Sequence, residues 1–144
     1  MWVWMAAKSS LKNHAIVCGY GVVGQKVVSI LLEKKIDFVI VDSDPATVQR
    51  IAELKYNVVN GDATSSRVLK DAGIDYAKAI AILIDNDAKN LFAVLTARDL
   101  NPGIFIATRA NDPFAKEKLM EAGADYVVLP QKSASKEIVA EITK

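Results

Sequence analysis

The sequence predicts an α/β fold: a three-layer arrangement in which helices cover both faces of a doubly wound parallel sheet. Three observations carry this. Short apolar runs alternate with runs of helical spacing from residue 14 onward, the pattern of a parallel sheet with crossover helices. The central run KAIAILI (78–84) is apolar almost throughout, as expected of a strand covered on both faces. Gly19, Gly21 and Gly24 stand at G-x-G-x-x-G spacing between the first apolar run and the first helical run. In that context the pattern marks a Rossmann-type turn.

The elements follow in order. HAIVC (14–18) reads as a strand, and 22–34 as a helix with Val23, Val27, Ile30 and Leu31 at helical spacing. DFVIVD (37–42) is a second strand. Pro45 at a first helical position, behind Asp44 as cap, opens a helix over 45–54. NVVN (57–60) is a short third strand, and a helix follows over 65–72. The theme then repeats. Strand 78–84 leads to a helix over 88–100, stopped by Asn101-Pro102-Gly103. IFIAT (104–108) is a strand, and Asp112-Pro113 opens a helix ending at Gly123. DYVVLP (125–130) is a sixth strand, and 133–143 a last helix with Ala134, Ile138 and Ile142 on one face. Two β-α-β-α-β halves predict strand order 3-2-1-4-5-6.

Composition narrows the function. The 144 residues suit one domain, able to bury roughly 70% of the surface its unfolded chain exposes. Net charge is +1 without a basic block, which argues against a nucleic-acid partner. The single cysteine, Cys18, precludes an intramolecular disulfide and reads as a small buried hydrophobe in a reducing compartment. Residues 1–12 form a separate leader, with 13–144 as the nucleotide-binding domain. The apolar start MWVWMAA is too short to span a membrane. It reads either as a frayed leader or as a membrane-proximal stub, its tryptophans at the interface and Lys8 and Lys12 on the cytosolic side.

The glycine-rich turn predicts a nucleotide site. Gly19 permits the tight turn, Gly21 lets backbone approach a pyrophosphate, and Gly24 lets the helix pack close to the sheet. Tyr20, Val22 and Val23 belong to the same turn, and the helix start offers free N–H groups to phosphates. Asp42, eighteen residues after Gly24 with Ser43 beside it, is placed to accept bonds from ribose hydroxyls. It would repel a 2′-phosphate, which favours NAD(H) or an adenosine phosphate (ATP, ADP or AMP) over NADP(H). Asp62 and Thr64 follow the third strand, and Asp85, Asn86, Asp87 and Asn90 the fourth. Asp85 and Asn86 should face the ligand across the switch point, and Arg109 at the end of the fifth strand suits a phosphate or a carboxylate such as Asp85. Each also has a plain structural use. Asp62 or Thr64 suits a helix cap, as does Asp87, and Arg109 suits an ion pair.

Catalysis is not expected. The only histidine, His14, begins the first strand, at the end of the sheet opposite the crevice, and no tyrosine is followed four residues later by lysine. The oxygen-rich cluster Asp85, Asn86, Asp87 is read as helix capping rather than a metal site. An oxidoreductase fragment lacking its substrate domain, and a Rossmann-like assembly scaffold that binds no nucleotide, remain the competing readings.

From Asn13 to Lys144 the chain resembles the N-terminal domain of regulators of potassium conductance (RCK), also called the KTN or Trk-type NAD-binding domain. HAIVCGYGVVG, the acid in VIVDSD, VVNGDAT, AIAILIDNDAKN, IATRANDP and EAGADYVVLP carry the resemblance, in that order. It implies a cytoplasmic regulatory domain at the inner face of the cell membrane. Such a domain would assemble as a homo-dimer or larger ring and gate a potassium channel or transporter pore in response to NAD(H) or an adenine nucleotide. By position, Gly19, Gly21 and Gly24 would hold phosphates and Asp42 the ribose. Asp62, Ala63 and Thr64 would lie on the adenine side, with Asp85, Asn86 and Arg109 on the far wall. A calcium-gated branch carries acids where this chain has Arg109 and Asn111, so calcium activation by that route is not expected. The last helix is a candidate dimer or coupling element, or else folds back on its own sheet. The family's second, C-terminal ligand-binding subdomain does not follow it, so the chain reads as an excised fragment or a short form.

Overall fold

A computed structural model describes residues 11–144; the expected leader lies largely outside them. A six-stranded, all-parallel sheet runs in the order β3-β2-β1-β4-β5-β6. Its strands are β1 (Ala15–Cys18), β2 (Phe38–Asp42), β3 (Val58–Asn60), β4 (Ala79–Ile82), β5 (Phe105–Arg109) and β6 (Tyr126–Val128). The helices are α1 (Val22–Glu33), α2 (Pro45–Glu53), α3 (Ser66–Asp71), α4 (Asp87–Leu100), α5 (Pro113–Ala122) and α6 (Pro130–Ile142). The expected strand order is the observed one. β1 pairs with β2 on one side and β4 on the other, Cys18 lying opposite Val41 and Ile82. The chain therefore leaves neighbouring strands in opposite directions above β1 and β4, which opens a crevice at their C-terminal ends.

Strand alternation sends side chains into two apolar layers. Ile16, Val39, Val41, Ile80 and Ile82 face α3, α4 and α5, where Leu69, Ala93, Val94, Ala97 and Leu119 meet them. Val17, Phe38 and Ile40 face α1 and α2 and meet Val28, Val48 and Ile51. Each fully buried branched side chain contributes about 1.5–3 kcal/mol. The α1 stripe is rotated slightly from expectation: Val28 is buried, while Ile30 is exposed.

Ends differ from the sequence reading where apolar runs outlast the hydrogen-bonded ladder. β4 stops at Ile82 and β6 at Val128. Pro130 is not a strand end but the first residue of α6, where its missing N–H costs nothing. No α6 residue is buried, and Ile138 and Ile142 are 59% and 74% exposed. Of the two expected placements, folding back on the sheet is not observed. The sheet face beyond α1 and α2 stays open, with Phe105 and Tyr126 exposed.

Candidate functional site: a crevice at the switch point

The crevice encloses about 340 Å³ between the glycine-rich turn, the ends of β2 and β3, and the start of α4. Gly19 has φ +97°, a left-handed backbone that L side chains rarely adopt. A Cβ on Gly24 would run into the Gly19 carbonyl oxygen, whereas one on Gly21 would meet nothing within 4 Å. Gly24 thus serves packing, and Gly21 leaves open space at the crevice wall.

The helix starts separate function from architecture. Asp44, Ser65, Asn86 and Asp112 cap α2, α3, α4 and α5 with side-chain oxygens. The starts of α1, at Gly21, and α6, at Leu129, have no side-chain cap bond and no acid in the first turn, and of these two only α1 lines the crevice. The orphan N–H groups and positive end of α1 therefore face the crevice, an arrangement suited to an anion.

Asp42 anchors the turn. Its Oδ2 accepts the Tyr20 N–H at 2.9 Å and its Oδ1 the Asp44 N–H at 2.9 Å. Each carboxylate oxygen keeps further acceptor capacity. Asp62 accepts from the Thr64 N–H at 2.9 Å and the Thr64 hydroxyl at 2.8 Å. Those bonds, with the Lys89 charge adding to them, hold its carboxyl below the ordinary range. On the far wall, Arg109 approaches Asp85 at 3.5 Å and Asn111 Oδ1 at 3.4 Å. The wall is positioned by Asn90, fully buried, which bonds Ile84 N at 3.1 Å, Ile84 O at 2.7 Å and Arg109 O at 3.2 Å.

Of the residues singled out in the sequence, Gly19, Tyr20, Gly21, Val22, Asp42, Ser43, Asp62, Ala63, Asp85 and Arg109 line this one crevice. Four do not. Val23 packs into the α1–α2 core, and Gly24 lies against Gly19. Thr64 is spent on Asp62. Asn86, expected to face the ligand, instead caps α4, its Oδ1 accepting the Lys89 N–H at 2.9 Å. The expected caps of α3 and α4 also shift along the chain. Ser65 rather than Asp62 or Thr64 caps α3, and Asp87 receives the Asn111 N–H at 3.1 Å instead of capping α4. Val41, Gly61, Leu83, Ile84 and Lys89 complete the lining and were not foreseen. Lys89 carried one signal, a cation in the first turn after the Asp85-Asn86-Asp87 junction.

His14 lies at the other end of β1, fully buried, with Nε2 2.8 Å from Ala72 O. Among the described residues, no group of three or more His, Cys, Asp or Glu gathers as a metal site, and no helix is long and apolar enough to cross a membrane.

A doubly wound sheet with an uncapped helix start and a strand-end acid at its switch point defines a Rossmann-type domain. The chain belongs to the TrkA-N domain family, whose model matches residues 15–130. Potassium channel protein 1 of Methanocaldococcus jannaschii is 41% identical over 122 residues, 83% of this chain; the chain spans 37% of that relative's length. The TrkA-N domain of the inner membrane protein ybaL from Escherichia coli is 27% identical with a TM-score of 0.88, covering 92% of this chain and 98% of that one. The Kef C-terminal domain of Shewanella denitrificans, in its AMP-bound form, is 27% identical with a TM-score of 0.77, covering 91% and 80%.

Proposed function

We propose that this chain is the nucleotide-sensing domain of a potassium channel or potassium-uptake system, working at the cytoplasmic face of the membrane. The observation that carries the reading is the uncapped start of α1 beside Asp42 in the switch-point crevice. The phosphates of NAD(H), or of ATP, ADP or AMP, lie over Gly19–Val22. Asp42 takes the ribose hydroxyls and disfavours a 2′-phosphate. The base lies toward Asp62 and Ala63, with Asp85 and Arg109 opposite. Membership of the TrkA-N family, the potassium channel relative and the AMP-bound Kef domain support this assignment.

The nucleotide is read rather than consumed. Two copies associate through the exposed stripe of α6 and the open sheet face around Phe105 and Tyr126, and the nucleotide changes their relative angle. It biases a gate only by its differential affinity for the two arrangements.

A thermal-shift panel with NAD⁺, NADH, NADPH, ATP, ADP and AMP, run after unfolding and refolding to strip any carried ligand, tests the assignment. A ligand at about 100 times its Kd adds roughly 2.7 kcal/mol, a shift of several degrees. Stabilisation by NAD(H) or an adenine nucleotide but not by NADPH is expected. No shift with any of the six would leave an assembly scaffold as the better reading.

A further inference from the structure

The structure holds two half-buried arginines with opposite habits. Arg98 is saturated: it donates to Gly123 O at 3.1 and 2.6 Å, to Pro102 O at 2.9 Å, to Ile104 O at 2.7 Å and to Asp125 Oδ2 at 2.9 Å. It is an architectural clamp. The Arg109 side chain is more buried, only 13% exposed, yet among the described residues its guanidinium has two partners, both distant: Asp85 at 3.5 Å and Asn111 at 3.4 Å. A guanidinium carries five N–H donors. Two long contacts leave most of that capacity without a protein partner among the described residues, and Arg109 lines the crevice.

Asp85 is the reverse. Its side chain is 80% exposed and reaches Arg109 at 3.5 Å, and so solvated an ion pair is held only weakly. Lys89, on the first turn of α4, brings a second cation to the crevice lining, close enough to Asp62 to add to the Thr64 bonds that lower its carboxyl pKa. Across the crevice stands the uncapped start of α1. Three positive features thus line one crevice, and the anion paired with Arg109 is an exposed side chain.

We infer that Asp85 is an internal stand-in for a ligand phosphate: it occupies Arg109 when the crevice is empty and is displaced when a phosphate-bearing nucleotide enters. This rests on the nucleotide reading above and adds a specificity rule to it. Asp85 competes with the ligand instead of contacting it, so it sets affinity for the phosphate groups and not for the nucleoside. The chain binds weakly any adenine compound without a phosphate that reaches Arg109.

Calorimetry with adenosine, AMP, ADP and inorganic pyrophosphate on the wild type, Asp85→Asn, Arg109→Gln and the double variant tests this. An exposed ion pair contributes up to about 1 kcal/mol, so Asp85→Asn tightens ADP and pyrophosphate roughly two- to fivefold while leaving adenosine unchanged. Arg109→Gln weakens ADP roughly tenfold to a hundredfold, the worth of a charged hydrogen bond. In its background Asp85→Asn has no further effect. Equal changes for adenosine and ADP, weaker ADP binding by Asp85→Asn, or additive effects in the double variant would overturn the inference and leave the nucleotide reading standing. Failure of the wild type to bind AMP or ADP, together with no thermal shift by NAD(H), would remove the nucleotide reading. Pyrophosphate would then decide: tightening by Asp85→Asn still supports displacement, and no binding ends both.

Discussion

Tyr20 donates its backbone N–H to Asp42 Oδ2 at 2.9 Å, joining the glycine-rich turn to the end of β2 across 22 positions of sequence. The same carboxylate takes the Asp44 N–H at 2.9 Å, just before α2. The acid expected to meet a ribose therefore also sets the position of the turn expected to meet the phosphates.

Asp42→Asn separates these duties poorly, which is itself the prediction. The carboxamide accepts one of the two N–H groups and presents an NH₂ to the other. Leaving a half-buried donor unpaired costs about 1–2 kcal/mol, read as a lower denaturant midpoint. Nucleotide affinity falls by roughly tenfold or more, because the charged acceptor and the turn geometry are lost together.

Gly21 and Gly24 should behave oppositely although both belong to one motif. Gly21→Ala places its Cβ in open space and keeps stability within about 1 kcal/mol. Gly24→Ala drives its Cβ into the Gly19 carbonyl oxygen and costs at least the 1–3 kcal/mol typical of overpacking. Urea unfolding of the two variants in parallel checks the contrast.

The exposed stripe on α6 predicts an assembly defect without a folding defect. Ile138 and Ile142 are mostly exposed, so Ile138→Asp with Ile142→Asp leaves the urea midpoint of the isolated chain nearly unchanged. If α6 joins two copies, light scattering shows the variant at half the wild-type mass. An unchanged mass would argue against this helix as the contact.

Stability should fall on acidification through a few identifiable carboxylates. Asp125 is held below the usual carboxylate range chiefly by the Ile106 N–H at 2.8 Å, then by Arg98; Asp62 is held low by Thr64. A depressed folded pKa stabilises the protein above the unfolded value of about 3.9 and is lost as pH falls through the folded one. Urea midpoints should drop below about pH 4. Asp125→Asn should flatten that drop by less than about 1 kcal/mol, since the side chain is substantially exposed to solvent.

Cys18 provides a probe of opening. It is fully buried, and burial, with the Asp42 charge added, pushes its thiol well above the ordinary range. A thiol reagent at neutral pH should leave the folded protein untouched and react only as the chain opens. A bound nucleotide should slow that reaction further.

The parts of this structure legible in the sequence are those fixed by local pattern. The glycine-rich turn, Asp44 and Pro45 at the start of α2, and Asp112 and Pro113 at the start of α5 each announce themselves within a few residues. Strand order followed from the repeated β-α-β halves. Choices between adjacent residues of equal chemistry did not: Asn86 and Asp87 both suit a cap, and only the Asn111 N–H across the loop assigns Asp87 elsewhere. Gly61 and Leu83 reach the crevice because strand ends converge there, a tertiary fact with no local signature. Pro130 was read as closing a strand because the apolar run continues to it, although proline at a first helical position carries the opposite meaning.

The most direct measurement is equilibrium binding of NADH and ADP to the refolded wild type beside Gly21→Leu, with urea unfolding of both. Saturable binding of at least one nucleotide to the wild type, lost in a Gly21→Leu variant that unfolds at a similar midpoint, is the predicted result. Binding that survives Gly21→Leu unchanged, or no binding to the wild type, would contradict the claim that this crevice is a nucleotide site.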